Sequence, residues 1–119
     1  MVPRRAAPIS SRRTFAELGA QGRRGGSGAV RLRFLAGSAG DESRRVAYAI
    51  PRKTGGAVVR NRLRRRLRAA VETLVDEMAP GAYLISPDRS VADVPFTELI
   101  HSLRASLRAA GSIREEHRD

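Results

Sequence analysis

Two stretches near the middle of the chain alternate between apolar residues and polar or small ones, the spacing that is typical of β-strands. They cover residues 29–36 and 44–51 and are separated by the loop GSAGDES at residues 37–43. Neighbouring stretches of this kind, joined by a short glycine-containing loop, predict two paired antiparallel strands. The side chains that share one face are, in chain order, Val30, Leu32 and Phe34, then Val46, Tyr48 and Ile50.

Two longer stretches repeat their apolar residues at steps of three and four, which is the period of an amphipathic helix. The first covers residues 57–78 and ends before Pro80, and the second covers residues 95–110 with Asp93 as its predicted N-cap. Between them, the run AYLIS at residues 82–86 predicts a short buried strand. The inner stripe of the first helix comprises Leu63, Leu67, Ala70, Val71, Leu74, Val75 and Met78. That of the second comprises Phe96, Leu99, Ile100, Leu103 and Leu107.

The two ends of the chain and one internal segment lack an apolar period. Residues 1–10 predict a mobile basic arm and residues 112–119 a mobile tail, and a short helix at residues 11–18 follows the arm. The segment QGRRGGSG, residues 21–28, predicts a flexible turn because its glycines permit many backbone conformations. The order of helix, strands, long helix, strand and helix, without an internal repeat, predicts one α+β sandwich domain over residues 1–119.

The composition adds a strong positive charge. The 119 residues include 23 Lys and Arg against 12 Asp and Glu, which gives a net charge of +11. This surplus favours a nucleic acid or an anionic membrane surface as the partner. All of the Lys and Arg residues except Lys53 are arginines, whose planar guanidinium groups can bind a phosphate through two hydrogen bonds.

Several classes of protein are excluded or disfavoured. Cysteine is absent, which excludes disulfides and thiolate zinc sites. No apolar run approaches the ~20 residues of a membrane span, and no signal-peptide core follows the basic start of the chain. We therefore expect a cytoplasmic protein without a membrane partner.

The positive charge is concentrated around the start of the long helix. Residues 52–68 contain eight basic side chains and no acidic one, and a polyanion would relieve the repulsion between them. A solvated basic face without a ligand is the alternative interpretation. A helical wheel divides the polar side chains between two flanks, with Asn61, Arg64, Arg65 and Arg68 on one and Arg62 and Arg66 on the other.

The segment RKTGGAVVRNRLRRRLR, residues 52–68, resembles the signature of the bacterial ribonuclease P protein component. In that family a basic pair precedes a glycine and an Ala-Val step, and then come an Arg-Asn-Arg triplet, a second basic pair and a further arginine. Pro51, Thr54 and Ala69 depart from the usual residues, but none of these departures removes a phosphate-binding side chain. By this resemblance the RNA-binding residues are Arg52, Lys53, Arg60, Asn61, Arg62, Arg64, Arg65 and Arg68.

The resemblance implies both a fold and a function. The fold of the family is a small two-layer αβββαβα sandwich with a left-handed βαβ crossover around the motif helix. The function is that of the protein subunit of ribonuclease P, a ribonucleoprotein. This subunit binds the catalytic RNA and the 5′ leader of precursor tRNA and assists the magnesium-dependent endonucleolytic removal of the leader. The implied partners are these two RNAs, no further protein is required, and magnesium is held mainly by RNA.

The family also takes the single-stranded leader in a cleft lined by aromatic side chains, which can stack on any base. By position Phe15 matches the aromatic residue of the first helix, and Phe34 and Tyr48 are the strand aromatics that would line the cleft. A place in the hydrophobic core is the alternative for each of the three. Many relatives carry a second aromatic residue one helical turn after the first, where this chain has Gly19.

No group of residues predicts a catalytic or metal site on the protein itself. The acidic residues are scattered, adjacent acidic pairs do not share a helix face, and His101 fits an exposed helix surface. We therefore assign catalysis to the RNA partner and expect neither catalytic nor metal-binding side chains. Two other functions stay open: a structural RNA-binding protein of the ribosomal type, and a DNA-binding module that lays the arginine helix in a major groove.

Overall fold

A computed structural model describes residues 5–113, which form one five-stranded sheet and three α-helices. Short 3-10 turns at Arg52–Thr54, Val75–Glu77 and Arg89–Ala92 lie in the connections. Among the described residues, no helix is long and apolar enough to cross a membrane. The elements are β1 Ala6–Pro8, α1 Arg12–Gln21, β2 Arg23–Ser27, β3 Val30–Ala36, β4 Arg44–Tyr48, α2 Ala57–Leu74, β5 Gly81–Pro87 and α3 Phe96–Ala109.

The strands form a single sheet in the order β1-β4-β5-β3-β2. The central strand β5 is parallel to β4 and antiparallel to β3. Since α2 connects β4 to β5, these three elements form the parallel βαβ unit that the resemblance implies. The prediction that residues 29–36 pair with residues 44–51 is wrong, because β5 lies between β3 and β4. Alternation marks a segment as a strand, but it does not specify the neighbouring strand.

The two faces of the sheet are covered differently. On one face, α2 and α3 bury strand residues such as Leu32 and Val46 under helix residues such as Leu63 and Leu103. On the other face, α1 covers only part of the sheet. The cluster there consists of Ile9, Leu18 and Ala82, with Leu35, Ala47 and Leu84 packed against it. The predicted α+β class and αβββαβα order are confirmed, and β1 is an additional strand at the sheet edge.

The start of the described chain is ordered, although the sequence predicts a mobile arm over residues 1–10. The first four residues lie outside the described part, but β1 pairs in parallel with β4. The backbone N–H groups of Arg5 and Ala6 each donate to a carboxylate oxygen of Glu72 at 3.1 Å. The mobile-arm prediction is therefore wrong for the described residues, because backbone pairing and a carboxylate of α2 hold them in place.

The segment 21–28, predicted as a flexible turn, contains the edge strand β2. Its sequence RRGGS has no apolar period, but α3 packs directly on Gly25, where a Cβ would lie 2.2 Å from the carbonyl oxygen of Ser106. The glycine thus permits a close approach between strand and helix. The predicted N-cap is also wrong: α3 begins after Pro95, and Asp93 instead closes the preceding 3-10 turn.

The C-terminal boundary lies later than predicted. Ser112 is buried and Ile113 forms a β-bridge with Met78, so the mobile-tail prediction is wrong for these two residues. Residues 114–119 of the predicted tail lie outside the described part of the chain. The long helix is shorter than its apolar period suggests, because α2 ends at Leu74 and continues as a 3-10 turn.

Candidate nucleic-acid interface

The buried stripe of α2 fixes the direction in which its arginines point. Its buried residues are Leu63, Leu67, Ala70, Val71 and Leu74. These side chains all join the main core under the sheet face that α2 and α3 cover. The polar side chains are therefore divided between two flanks of the helix, as the helical wheel predicts.

We name one side of the helix the α2 flank; it consists of Asn61, Arg64, Arg65 and Arg68. Together with Val58 these residues border a shallow groove of about 440 Å³. Nη1 of Arg64 donates to Oδ1 of Asn61 at 3.4 Å, a long hydrogen bond. Arg65 and Arg68 have no hydrogen-bond or ion-pair partner among the described residues. Their guanidinium groups are therefore available to an anion from outside.

On the opposite flank, two arginines are anchored to the connection between β5 and α3. Nε of Arg62 donates to the carbonyl oxygen of Ala92 at 2.8 Å, and Nη2 of Arg66 donates to the carbonyl oxygen of Val94. These bonds tie α2 to the segment that leads into α3. Arg62 is exposed despite its bond, so the rest of its guanidinium group can still reach a phosphate.

The acidic residue that follows the α2 flank in the sequence is already engaged. Glu72 lies one helical turn after Arg68, a spacing that allows an intrahelical ion pair. Instead its oxygens accept the N–H groups of Arg5 and Ala6, and Nη1 of Arg5 also contacts Oδ1 of Asp76 at 2.7 Å. The N-terminal segment thus engages this carboxylate, and no salt bridge joins Arg68 to Glu72.

The basic pair of the motif lies in the turn before α2. Arg52 and Lys53 are exposed there, and Nε of Arg60 donates to the carbonyl oxygen of Gly55 at 3.1 Å. A Cβ on Gly55 would lie 2.9 Å from Cγ1 of Val59, so this position needs glycine for its packing. The conformation of the turn is therefore supported by Arg60, one of the predicted RNA-binding residues.

The part of the sheet that α1 leaves open carries a second basic surface, which the sequence analysis did not identify. Two adjoining cavities of about 500 and 540 Å³ lie there and share Arg31 and Ser86. Asp88 is the acidic residue among those that line them. The signal in the sequence was the alternation of Arg31 and Arg33 with Leu32. We name this surface the sheet groove; its basic residues are Arg24, Arg31, Arg33, Lys53 and Arg89.

The structure does not bring the three predicted cleft aromatics together. Phe15 is 41% exposed on α1, and this helix borders the sheet groove because Nη1 of Arg33 donates to the carbonyl oxygen of Gly19 at 3.1 Å. Phe34 is only 4% exposed and stacks on Tyr83 in the main core, with 4.8 Å between the ring centroids. The assignment of Phe34 to a cleft is therefore wrong.

Tyr48 lies on the side of the sheet that faces α2. It is half-buried and lines a cavity of about 200 Å³ between β1, β4 and α2, together with Arg64 and Arg68. Strand alternation places Tyr48 on the α2 side, so it does not share a cleft with Phe15. At Gly19, where the resemblance implies a second aromatic residue, a Cβ would meet no atom within 4 Å, so the space there is open.

The sequence of the chain matches the family model described as Ribonuclease P over residues 4–111. The chain belongs to the ribonuclease P protein family. A relative named ribonuclease P protein component, from Symbiobacterium thermophilum, is 38% identical over 114 residues, which cover 95% of this chain and 98% of the relative. Another of the same name, from Gluconacetobacter diazotrophicus, is 35% identical over 109 residues, which cover 90% of this chain and 93% of the relative.

Solved ribonuclease P proteins have the same fold as this chain. The protein from Staphylococcus aureus superposes with a TM-score of 0.76 at 17% identity, covering 92% of this chain and 99% of that one. The protein from Thermotoga maritima superposes with a TM-score of 0.73 at 21% identity, covering 85% of this chain and 94% of that one. These identities are low, so the structures show the shared fold, while family membership rests on the sequence matches.

Family membership makes the chain a subunit of a ribonuclease holoenzyme in tRNA processing, with ribonuclease P RNA as its partner. What the described residues offer to an RNA is mainly positive charge on two separate surfaces. Within residues 5–113, no group of three His, Asp or Glu side chains comes together that could hold a metal ion.

Proposed function

We propose that the protein binds the catalytic RNA of ribonuclease P through the α2 flank, together with Arg52, Arg60 and Arg62. At the same time it holds the 5′ leader of precursor tRNA along the sheet groove. In this arrangement the protein assists magnesium-dependent endonucleolytic removal of the leader during tRNA 5′ maturation in the cytoplasm. Catalysis belongs to the RNA, which also holds most of the magnesium.

The observation that carries this proposal is the presence of two basic surfaces on opposite sides of one sheet. The α2 flank lies on the helix that covers one face, and the sheet groove lies on the face that α1 leaves partly open. Two surfaces of this kind allow the protein to contact two RNA segments at once. A subunit that links a catalytic RNA to its substrate requires this capacity.

The α2 flank suits the phosphates of a folded RNA. Arg65 and Arg68 have no internal partner in the described part of the chain, so they lose no protein contact when they bind phosphate. A guanidinium group can also donate two parallel hydrogen bonds to one phosphate, which fixes orientation as well as adding charge. The flank is therefore suited to hold one RNA in a defined position.

The sheet groove suits a single strand. Phe15 supplies an exposed ring on the helix that borders it, and stacking of a base on such a ring contributes about 1–3 kcal/mol whatever the base. Arg31 and Arg33, on the same face as α1, can neutralise the phosphates of the strand. Because Phe34 and Tyr48 lie on the other face, leader binding in this chain depends on arginines more than the resemblance implies.

The substitution Phe15→Ala tests the leader assignment in a holoenzyme reconstituted with a bacterial ribonuclease P RNA. We expect binding of precursor tRNA to weaken by about 1–3 kcal/mol, because one stacking contact is lost. Binding of mature tRNA, which has no leader, should stay unchanged. Gln21→Ala, at the exposed last residue of the same helix, is the matched control and should bind both tRNAs as the wild type does.

Two outcomes would contradict the proposal at different levels. Equal losses for precursor and mature tRNA in a folded Phe15→Ala protein would remove the leader assignment alone. Failure of the wild-type protein to bind ribonuclease P RNA, with retained binding to ribosomal RNA, would instead favour a structural RNA-binding protein of the ribosomal type.

A further inference from the structure

A second exposed phenylalanine lies on the side of the molecule that carries α2 and α3. Phe96, the first residue of α3, is 39% exposed, close to the value for Phe15 on the other side of the sheet. It borders a groove of about 360 Å³, which we name the α2–α3 groove. The other residues that line this groove are Arg62, Arg65, Arg66 and Ala69 of α2. An exposed aromatic ring is thus placed among arginines, beside the surface proposed to bind the RNA subunit.

Hydrogen bonds anchor the backbone that leads into Phe96 to α2. The bonds from Arg62 to Ala92 and from Arg66 to Val94 hold the segment immediately before Phe96 against the helix. The groove is therefore formed before any ligand arrives. When a ligand binds in this groove, little conformational entropy of the protein is lost.

Arg65 connects the α2–α3 groove to the α2 flank, because its side chain lines both. It has no hydrogen-bond or ion-pair partner among the described residues. The acidic residues closest to Phe96 in the sequence, Asp93 and Glu98, form no salt bridge with any arginine in this part of the structure. The groove therefore combines an unpaired cation with an exposed aromatic side chain.

We propose that the α2–α3 groove binds an unpaired nucleobase of ribonuclease P RNA, stacked on the ring of Phe96. Bases of any identity stack on aromatic rings, and guanidinium groups beside the ring can bind the adjacent phosphates. The RNA subunit is the ligand, and not the leader, because this groove shares Arg65 with the α2 flank and lies across the sheet from the sheet groove. The inference rests on the proposed function and adds to it a contact that does not depend on charge.

Alanine substitution tests the stacking contact in direct binding to ribonuclease P RNA. Phe96→Ala should weaken binding by about fivefold to 150-fold, the effect of losing one stacked base. The slope of log affinity against log salt should stay at the wild-type value, because no charge is removed. Phe96→Tyr should bind like the wild type, whereas Phe96→Leu, which is apolar but has no aromatic face, should be as weak as Phe96→Ala. Thr97→Ala, at the adjacent exposed residue, is the matched control and should not change affinity.

Fluorescence supplies an independent measurement, because the chain contains no tryptophan. In a Phe96→Trp protein, the single indole should be quenched when ribonuclease P RNA binds, since it stacks on a base. In Phe15→Trp, the indole should respond to the leader of precursor tRNA in the holoenzyme and not to the RNA subunit alone. This comparison remains decisive even where Phe96→Ala fails to fold.

Several results would overturn the inference while leaving the proposed function intact. They are wild-type affinity of a folded Phe96→Ala protein, full recovery in Phe96→Leu, and an unchanged emission of Phe96→Trp in the RNA complex. If the wild-type protein itself does not bind ribonuclease P RNA, the proposed function fails, and the inference fails with it.

Discussion

The arginines of α2 are chemically alike, but their surroundings divide them into two kinds. Arg65 and Arg68 have no partner among the described residues, whereas Arg62 and Arg66 donate to backbone carbonyl groups before α3. Alanine in place of Arg65 or Arg68 removes only a charge that repels its neighbours. Alanine in place of Arg62 or Arg66 leaves a carbonyl oxygen without its hydrogen-bond donor, which lowers the free energy of unfolding. The same substitution should therefore have different effects on the two flanks.

The two unpaired arginines give a prediction for RNA binding. Arg65→Ala and Arg68→Ala should leave folding intact and weaken binding to ribonuclease P RNA. If about five phosphates are neutralised by the α2 flank and its basic neighbours, and counterions are released as from a single strand, the slope of log affinity against log salt is about −3.5. Each alanine should make this slope shallower by about 0.7. Lysine at either position should retain the slope, but it should lose affinity where a guanidinium group binds phosphate with two hydrogen bonds.

Filter binding between about 50 and 200 mM salt measures this slope, and wild-type affinity should fall by about two decades over that range. Wild-type slope and affinity in both alanine variants would show that these arginines are merely solvated. The surface for the RNA subunit would then have to lie elsewhere on the protein.

An ion pair at the other end of α2 gives a prediction of pH dependence. Nε and Nη2 of Arg104 donate to the two carboxylate oxygens of Glu77 at 2.9 and 3.1 Å. These hydrogen bonds are the main cause that lowers the pKa of Glu77 below its ordinary value of 4.5. Because this pKa is lowered, ionised Glu77 stabilises the folded protein at pH values above its ordinary pKa. This stabilisation is lost as the pH falls through the pKa of Glu77 in the folded protein. Because both side chains are partly exposed, Glu77→Gln should lower the free energy of unfolding by only about 0.5 kcal/mol at neutral pH.

Urea denaturation of the wild type and of Glu77→Gln, at neutral pH and at about pH 3, tests this effect. The difference between the two proteins should shrink at the lower pH, because a pH of about 3 lies below the ordinary pKa of Glu77, 4.5. Glu17→Gln, at an exposed position of α1, is the control and should leave the free energy of unfolding at neutral pH close to that of the wild type. A difference for Glu77→Gln that is independent of pH would contradict the role of the ion pair.

The sequence predicted which side of α2 each arginine occupies, but it did not predict what each one contacts. The side follows from the helical period, because Leu63 and Leu67 must face the core. The hydrogen bonds of Arg62 and Arg66 could not be predicted, because their acceptor carbonyl groups lie 30 and 28 residues further along the chain. Such contacts depend on where the fold places a connecting segment, which no local pattern specifies.

Among the elements, the packing of α3 on β2 depends on one glycine and gives a prediction for stability. Gly25→Ala should destabilise the protein by about 1–3 kcal/mol through overpacking. Its Cβ would lie 2.2 Å from the carbonyl oxygen of Ser106 and 2.8 Å from the backbone nitrogen of Ala110, and backbone atoms cannot rotate away. Gly26→Ala is the matched control, because its Cβ would meet only Cγ of Arg31, at 3.4 Å.

Thermal denaturation measures the difference between these two variants. We expect a clearly lower Tm for Gly25→Ala and a Tm close to the wild type for Gly26→Ala. Equal Tm values would show that α3 can move away from β2 without cost, so that the glycine would not be required for packing.

The elements with a clear period were predicted to within a few residues, whereas β1 and β2, which have none, were missed. The strand β2 has the sequence RRGGS, whose place in the sheet depends on contact with α3 and not on apolar side chains. Alternation correctly grouped Phe34 and Tyr48 with the apolar face of their strands. It did not show that α2 and α3 cover that face, where Phe34 is buried in the core.

At the scale of the whole molecule, arginine charge and the RNA's magnesium should act on the same phosphates. We expect the purified protein to cleave no RNA by itself and to lower the magnesium concentration at which ribonuclease P RNA removes the leader. Residues 5–113 bring together no group of three metal-binding side chains, whereas arginines can replace part of the cation screening around an RNA. A double variant with Arg65→Ala and Arg68→Ala should need more magnesium than the wild type.

Cleavage of precursor tRNA over a series of magnesium concentrations measures this requirement for the RNA alone and with each protein. The wild type should shift the requirement downwards, and the double variant should shift it less. Leader removal by protein that is free of RNA would show that the assignment of catalysis to the RNA is wrong.

The family could be predicted from the sequence because its motif lies in one continuous segment, residues 52–68. The sheet groove could not be predicted in this way. Its basic residues come from β2, β3 and the two turns that contain Lys53 and Arg89, and only the folded sheet brings them together.

The position of β5 also determines when these surfaces can exist. It is the central strand of the sheet but the last strand in chain order. Neither β3 nor β4 can complete its pairing until β5 has been added between them. While the chain is being synthesised, the arginine helix therefore emerges from the ribosome before the central strand of the sheet on which it packs. Pairing between such distant segments is slower than the formation of local helical contacts. An RNA that binds only the completed fold would then favour the native state by mass action, and assembly with RNA would become the last step of folding.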